Sequence, residues 1–277
     1  MCQSIVRSIA HALGPAAQTD AFLVMHRGSV VHETYLHDTE QHTPHFNASA
    51  AKSYLGLMAA ILAHQGLLDR AARASTYVPE LAGTAFGEAT VEDLLHMGTQ
   101  VSYAGRPFDK AIEAQRYYAV IAPPLRPFGY NGPTSIREHL LTARVTGAAP
   151  GTEFRYENGN VETLAEVLRR ITGLTTSALL GELVWSKIGA DEDAYCILDG
   201  DGVEAAYGGF SAKARDIARL GEMMRCGARS AAGRSCPRRW PPPSSAASPT
   251  ATLAAYASPP RPPTRRPRSR TTTCGGS

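Results

Sequence analysis

The sequence predicts an α+β fold: an antiparallel sheet with flanking helices and an inserted helical region. Three observations carry that prediction. A hairpin pattern stands near the start, strong apolar helix signals fill the middle, and a strand-like segment precedes a last helix that ends at about residue 225. The chain has 277 residues, 43% of them hydrophobic and 19% charged. That length can bury a sizeable core and excludes a fully disordered protein. No apolar run approaches the ~18 residues needed to cross a bilayer, so a membrane-spanning protein is excluded too.

Residues 5–13 read as a short amphipathic helix ended by Gly14-Pro15. Residues 21–25 and 30–35 are apolar or β-branched runs on either side of His26-Arg27-Gly28-Ser29, the pattern of a hairpin with a Gly-containing turn. A polar loop over 36–45 follows. From Ser49 the chain reads as a strong helix, with Leu55, Met58, Ile61 and Leu62 on one stripe and Gly66 closing it. It is apolar on most faces, which predicts a place at the centre of the fold. Shorter helical signals cover 91–97 and 135–143, between loops rich in Pro and Gly. Residues 163–173 and 177–188 are two further helices, the first with Leu164, Val167, Leu168 and Ile171 in phase. Residues 194–198 are strand-like, Gly208-Gly209 forces a turn, and 212–225 is a final amphipathic helix.

The net charge of +3 is the sum of two unlike regions. Residues 227–277 hold 9 of the 28 basic residues and none of the 25 acidic ones, which leaves −6 for residues 1–226. The same stretch holds 10 of the 19 prolines and a single large aliphatic residue, Leu253, so nothing in it can build a core. It fits either a Pro/Arg-rich arm or GC-rich DNA read out of frame, and the second is favoured. Two regions are therefore expected, a folded domain over 1–226 and a disordered tail over 227–277. The five cysteines, at 2, 196, 226, 236 and 274, are odd in number and form no CxxC pair, which fits a reducing compartment. Residues 1–14 lack the apolar core and small-residue cleavage site of a secretion signal, and a cytoplasmic protein is predicted.

The chemistry centres on Ser49-Ala50-Ala51-Lys52. Positions i and i+3 share a helix face, so the Lys52 amine can reach the Ser49 hydroxyl. A serine in the first turn lies among free backbone N–H groups that favour negative charge. A lysine in a mostly apolar helix is a plausible proton acceptor, because desolvation disfavours its charged form. The bland alternative is a capping serine beside a snorkelling lysine. A second cluster, Phe154-Arg155-Tyr156-Glu157-Asn158-Gly159-Asn160, precedes the helix expected from Thr163. A tyrosine held in a loop near a lysine could relay a proton, and an asparagine offers both donor and acceptor to an amide. A plain helix-capping loop would look the same.

These segments, together with Gly66-Leu67-Leu68-Asp69, Val78-Pro79-Glu80-Leu81, the run from Val91 to Met97, and the run from Tyr207 to Gly221, occur in the order expected of serine hydrolases related to β-lactamases and penicillin-binding proteins. Over residues 20–226 the chain resembles that superfamily, and within it the nylon-oligomer (6-aminohexanoate-dimer) hydrolases. The resemblance implies a β-lactamase/transpeptidase-like fold and hydrolysis of amide or ester bonds through an acyl-enzyme, without metal or organic cofactor. Ser49 would be the nucleophile, Lys52 and Tyr156 would handle its proton, and the Ser49 N–H would form half of an oxyanion hole. Asn158 or Asn160 would bind substrate. Tyr103 and Asp109 fall in the segment that shapes the pocket in such enzymes, and no role is carried over to them. Small-molecule amides or esters are the expected partners, with neither membrane nor nucleic acid.

One departure from the family pattern shapes the expectation of activity. No Lys/His-x-Gly element follows Cys226, and with it the second oxyanion donor and the late strands of the sheet are missing. Losing one such donor costs ~10²-fold or more in rate. The sequence therefore predicts an incomplete sheet, uncovered apolar faces on Phe22, Val24 and the Ser49 helix, and little or no activity. Two other functions are weaker. One is a binding module of the penicillin-recognising type whose basic tail contacts nucleic acid; the other is a metal-dependent hydrolase built on His32, His37, Asp38, His42 and His45.

Overall fold

The computed structural model describes residues 13–14, 17–103, 118–126 and 128–226. The amphipathic helix expected over 5–13 and the tail over 227–277 lie outside the described residues. The first hairpin forms as expected, β1 (Ala21–His26) antiparallel to β2 (Ser29–Tyr35) with Ala21 opposite Tyr35. Its turn needs positive φ at both central residues, and Arg27 and Gly28 have 54° and 83°. Val24 pairs with His32 and Met25 with Val30, so Val31 is the extra residue of a bulge and is 60% exposed.

The remaining strands are short. β3 (His45–Phe46), β6 (Tyr195–Cys196) and β7 (Phe210–Ala212) form one ladder in the order β3-β7-β6, and β4 (Val101–Tyr103) pairs with β5 (Ala143–Val145). Every pairing among these strands is antiparallel. Among the described residues the sheet consists of these three separate ladders.

At the centre stands α1 (Ala51–His64). Ala51, Tyr54, Leu55, Leu57, Met58, Ala59, Ile61 and Leu62 are all buried along it, which is why its sequence is apolar on nearly every face. It packs against α4 (Asn158–Thr172), whose residues 158–165, Val167 and Leu168 are buried. Packed on α4 are α2 (Val91–Leu95), with a capping box between Thr90 and Asp93, and α3 (Ile136–Leu141), capped by Ser135. The helix expected over 177–188 forms as α5 (Thr176–Leu180), continued by a π-helical turn over Gly181–Trp185 and a last turn at Ser186–Ile188. Gly189, at φ 69°, stops it.

Three expectations need correction. Helix α4 opens at Asn158, five residues ahead of the expected start, because the Glu157 side chain accepts a hydrogen bond from the Gly159 N–H at 3.0 Å and caps the extra turn. The last helix, α6 (Ala214–Arg225), begins two residues late: Ala212 is drawn into β7, where it pairs with His45 and is fully buried. Nor is the Ser49 helix uncovered. α4, α5 and the π-helical turn enclose it, and β1 is half-buried under α6, which is tied to the hairpin by a bidentate Arg215–Glu33 pair at 2.7 and 2.6 Å.

Candidate active site

Ser49 is not in the first α-helical turn but in the 3₁₀ turn Ala48–Ala50 that leads into α1. The turn is held from both sides. The Asn47 N–H donates to the Phe210 carbonyl at 2.9 Å, carrying the β3-β7 ladder up to the serine, and the Asn47 amide donates to the buried Tyr54 hydroxyl at 2.9 Å. Ala48 takes φ 44°, a left-handed conformation rare for a residue with a Cβ. Such strain persists only where the surroundings impose it, and here it stands directly before the exposed Ser49.

Lys52 follows one turn later. Its Nζ donates to Ser49 Oγ at 3.0 Å and to the Tyr207 carbonyl at 2.5 Å. The ammonium also lies 5.1 Å from the centre of the Tyr156 ring and 5.4 Å from that of Tyr207, close enough for both aromatic faces to attract it. Tyr156, in the extended segment before α4, donates from its hydroxyl to Ser49 Oγ at 2.8 Å. The structure thus brings Ser49, Lys52 and Tyr156 together on one oxygen. Tyr156 is 49% exposed, so the cluster is open to a ligand from solvent. Chemically, a hydroxyl between an amine and a phenol has a route for its proton once that pair has given up one proton of its own.

Both asparagines are buried at the start of α4. Asn158 is 9% exposed at the first residue of α4, whereas Asn160 is fully buried and its amide donates to the Glu157 carbonyl at 3.1 Å. Tyr103 is part of the wall behind this segment: its hydroxyl donates to Glu157 Oε1 at 2.6 Å and its ring stacks on His139 at 4.7 Å. Asp109 lies outside the described residues. The loop histidines do not converge. His32 contacts Thr34, His42 pairs with Glu192 and His45 with Asp20, and no group of three candidate metal ligands exists among the described residues.

Sequence inspection overlooked three groups. Glu157 is buried and caps α4; Glu162 is fully buried on the same helix; the Tyr207 turn carries the carbonyl that receives Lys52. The Glu162 carboxyl is pushed up to about 7, first by burial, with the Tyr207 and Ala206 N–H groups and the charges of Arg169 and Lys52 working the other way. Its signal was present in the sequence: an acid among Val161, Leu164 and Ala165, on the stripe that faces the core.

Helix-flanked antiparallel strands and a serine–lysine–tyrosine cluster define a β-lactamase/transpeptidase-like class of protein. A family model for Beta-lactamase matches residues 7–271, and the chain belongs to that family. It is 34% identical over 222 residues to the 6-aminohexanoate-dimer hydrolase of Paenarthrobacter ureafaciens, covering 80% of this chain and 56% of that protein. A solved structure from Bacillus anthracis, described as a 6-aminohexanoate-dimer hydrolase, superposes with a TM-score of 0.69 at 36% identity, over 78% of this chain and 56% of that one. A class C beta lactamase from Rhodobacter sphaeroides shares the fold, with a TM-score of 0.52 at 17% identity over 85% of this chain and 64% of its own. The chain spans little more than half the length of the first two relatives. No helix among the described residues is long and apolar enough to cross a membrane.

Proposed function

We propose that this chain is a serine hydrolase of small amides or esters, acting through an acyl-enzyme on Ser49. The observation that carries the reading is the pair of contacts on one oxygen, Lys52 Nζ at 3.0 Å and the Tyr156 hydroxyl at 2.8 Å from Ser49 Oγ. Relatives described as 6-aminohexanoate-dimer hydrolases favour linear amides within that class.

In the first step Ser49 Oγ bonds to the substrate carbonyl carbon while its proton passes to the Lys52–Tyr156 pair in its singly deprotonated form, a neutral amine beside the phenol or an ammonium beside the phenolate. The tetrahedral intermediate collapses, the carbon–nitrogen or carbon–oxygen bond breaks, and Tyr156 returns the proton to the leaving group. Water then attacks the ester by the same route in reverse, which releases the acid and restores Ser49. The Ser49 N–H would serve the oxyanion, and because no Lys/His-x-Gly element follows Cys226 to add a second donor, turnover by this chain is expected to be slow. Asn158 or Asn160 would bind the substrate amide, Asn158 being the less buried, while the Asn160 amide donates to the Glu157 carbonyl. Residues 1–226 would constitute the hydrolase domain. A cytoplasmic location is proposed on the cysteine pattern, an odd number without a CxxC pair.

The test is hydrolysis of a nitrophenyl ester and of a linear amide dimer by the full chain, with Ser49→Ala as control. Activity that disappears with Ser49 supports the reading. Activity equal in wild type and Ser49→Ala sinks it.

A further inference from the structure

We propose that Glu162 is a positioning residue for this site: its carboxylate holds the Tyr207 turn, and that turn fixes Lys52 against Ser49. The inference rests on Ser49 being the nucleophile and adds a group from the protein interior that touches neither substrate nor the reacting oxygen.

The contacts form an unbroken chain. Glu162 Oε1 accepts the Tyr207 N–H at 2.8 Å, the Tyr207 carbonyl accepts from Lys52 Nζ at 2.5 Å, and the same Nζ donates to Ser49 Oγ at 3.0 Å. The turn also bears on the nucleophile from the backbone side. A Cβ placed on Gly208 would stand 3.3 Å from the carbonyl group of Ala48, and one on Gly209 would stand 2.5 Å from the Ala205 oxygen. Close approach therefore requires Gly209 and leaves Gly208 only a tight fit for a side chain, and neither has positive φ. A shift of the turn would carry both the carbonyl that aims Lys52 and the surface on which Ala48 is strained.

The location of Glu162 strengthens the case. It is fully buried, and among the described residues its second oxygen, Oε2, has no hydrogen-bond partner. A carboxyl so placed opposes folding unless what it holds is needed, and a core residue of similar shape would remove that cost. It lies just over one turn into α4, and Tyr156 stands two residues before that helix opens, so one segment would set both proton carriers, Tyr156 directly and Lys52 through the Tyr207 turn. Binding geometry held to within a few tenths of an ångström from behind is what proton transfer between three groups requires.

The test uses the full chain, Glu162→Met and Glu162→Gln, with a fluorophosphonate as covalent probe of Ser49 and separate measurement of maximal labelling rate and half-saturating concentration. Glu162→Met lacks the acceptor and is expected to lower the maximal rate 10-fold or more with half-saturation unchanged. Glu162→Gln keeps a carbonyl oxygen for the Tyr207 N–H and is expected to recover the rate to within about threefold. Hydrogen exchange at the Tyr207 amide supplies a readout independent of chemistry, fast in Glu162→Met and slow in the other two. A Glu162→Met protein labelled as fast as wild type overturns the proposal, as does slow exchange of that amide in Glu162→Met. If Glu162→Met does not fold, Glu162→Gln decides: a fall of 100-fold would show that the charge, and not the brace, matters. A wild-type chain unlabelled at Ser49 overturns the hydrolase reading and the positioning role together, whereas labelling that ignores Glu162 overturns the positioning role alone.

Discussion

Ser49 Oγ is the point at which two helices and a strand ladder converge, and single-atom changes around it have separable consequences. Tyr156→Phe removes the phenol while keeping the ring beside Lys52. It is expected to lower kcat by about 10²–10⁴-fold, the range of general acid–base contributions, with KM moving much less; steady-state kinetics on a nitrophenyl ester would check this. Glu162 gives a stability prediction with a definite sign. Its folded value, about 7, lies above its ordinary 4.5, so the folded state binds this proton more tightly than the unfolded chain. The stabilisation is complete below pH 4.5 and is lost as pH rises through 7, an effect of roughly 3 kcal/mol in size. Glu162→Gln has no such dependence. The variant should melt above wild type at pH 8, with the difference shrinking steadily toward pH 4.5. Thermal unfolding of both proteins across that range would test it, since the other carboxylates cancel in the comparison.

At the scale of elements, the opening turn of α4 carries more than its share. Gly159 faces Phe86, which is fully buried, and a Cβ at 159 would stand 2.1 Å from that ring. Gly159→Ala should therefore destabilise by about 1–3 kcal/mol through overpacking, although alanine is the better helix former. Denaturant midpoints measured with an unchanged m-value would show it, and an increase in stability would contradict the packing. Glu157 both caps this turn and accepts from Tyr103, at 3.0 and 2.6 Å. The start of α4 was legible only in part for this reason. Apolar periodicity begins at Val161 and Leu164, and the preceding Asn-Gly-Asn looks like a loop until the Glu157 cap and the Phe86 ring are in place around it. The hairpin and the body of α1 were legible, because alternation and a 3.6-residue apolar period are local properties of the chain, whereas the bulge at Val31 and the 3₁₀ turn that holds Ser49 were not.

For the whole molecule, a site assembled from a serine, a lysine and a tyrosine needs no divalent ion for its proton transfers. Hydrolysis is expected to be unchanged after dialysis against EDTA, and loss of activity restored by a metal would contradict the mechanism. The named site residues all lie between 49 and 208. Removal of residues 227–277 is accordingly expected to leave the rate of Ser49 labelling within about twofold of the full chain's, a comparison made by intact-mass spectrometry. Of the core, Met58 is fully buried at the middle of α1. Met58→Ala should cost about 2–5 kcal/mol, read from the same unfolding curves.

What the sequence determined by itself was the α+β class, the hairpin, the central helix and the identity of Ser49, Lys52 and Tyr156 as a group. Each follows from spacing along the chain or from motifs that stand in order. The tertiary structure alone decided how those groups meet. Ser49 and Tyr156 are 107 residues apart, and Lys52 and the Tyr207 carbonyl 155, so their contacts depend on how α1, α4 and the β3-β7 ladder pack. It also buried both Asn158 and Asn160 at the start of α4, and it drew in Glu162. Local periodicity reports which face of a helix is buried. Only packing reports what a buried acid is holding.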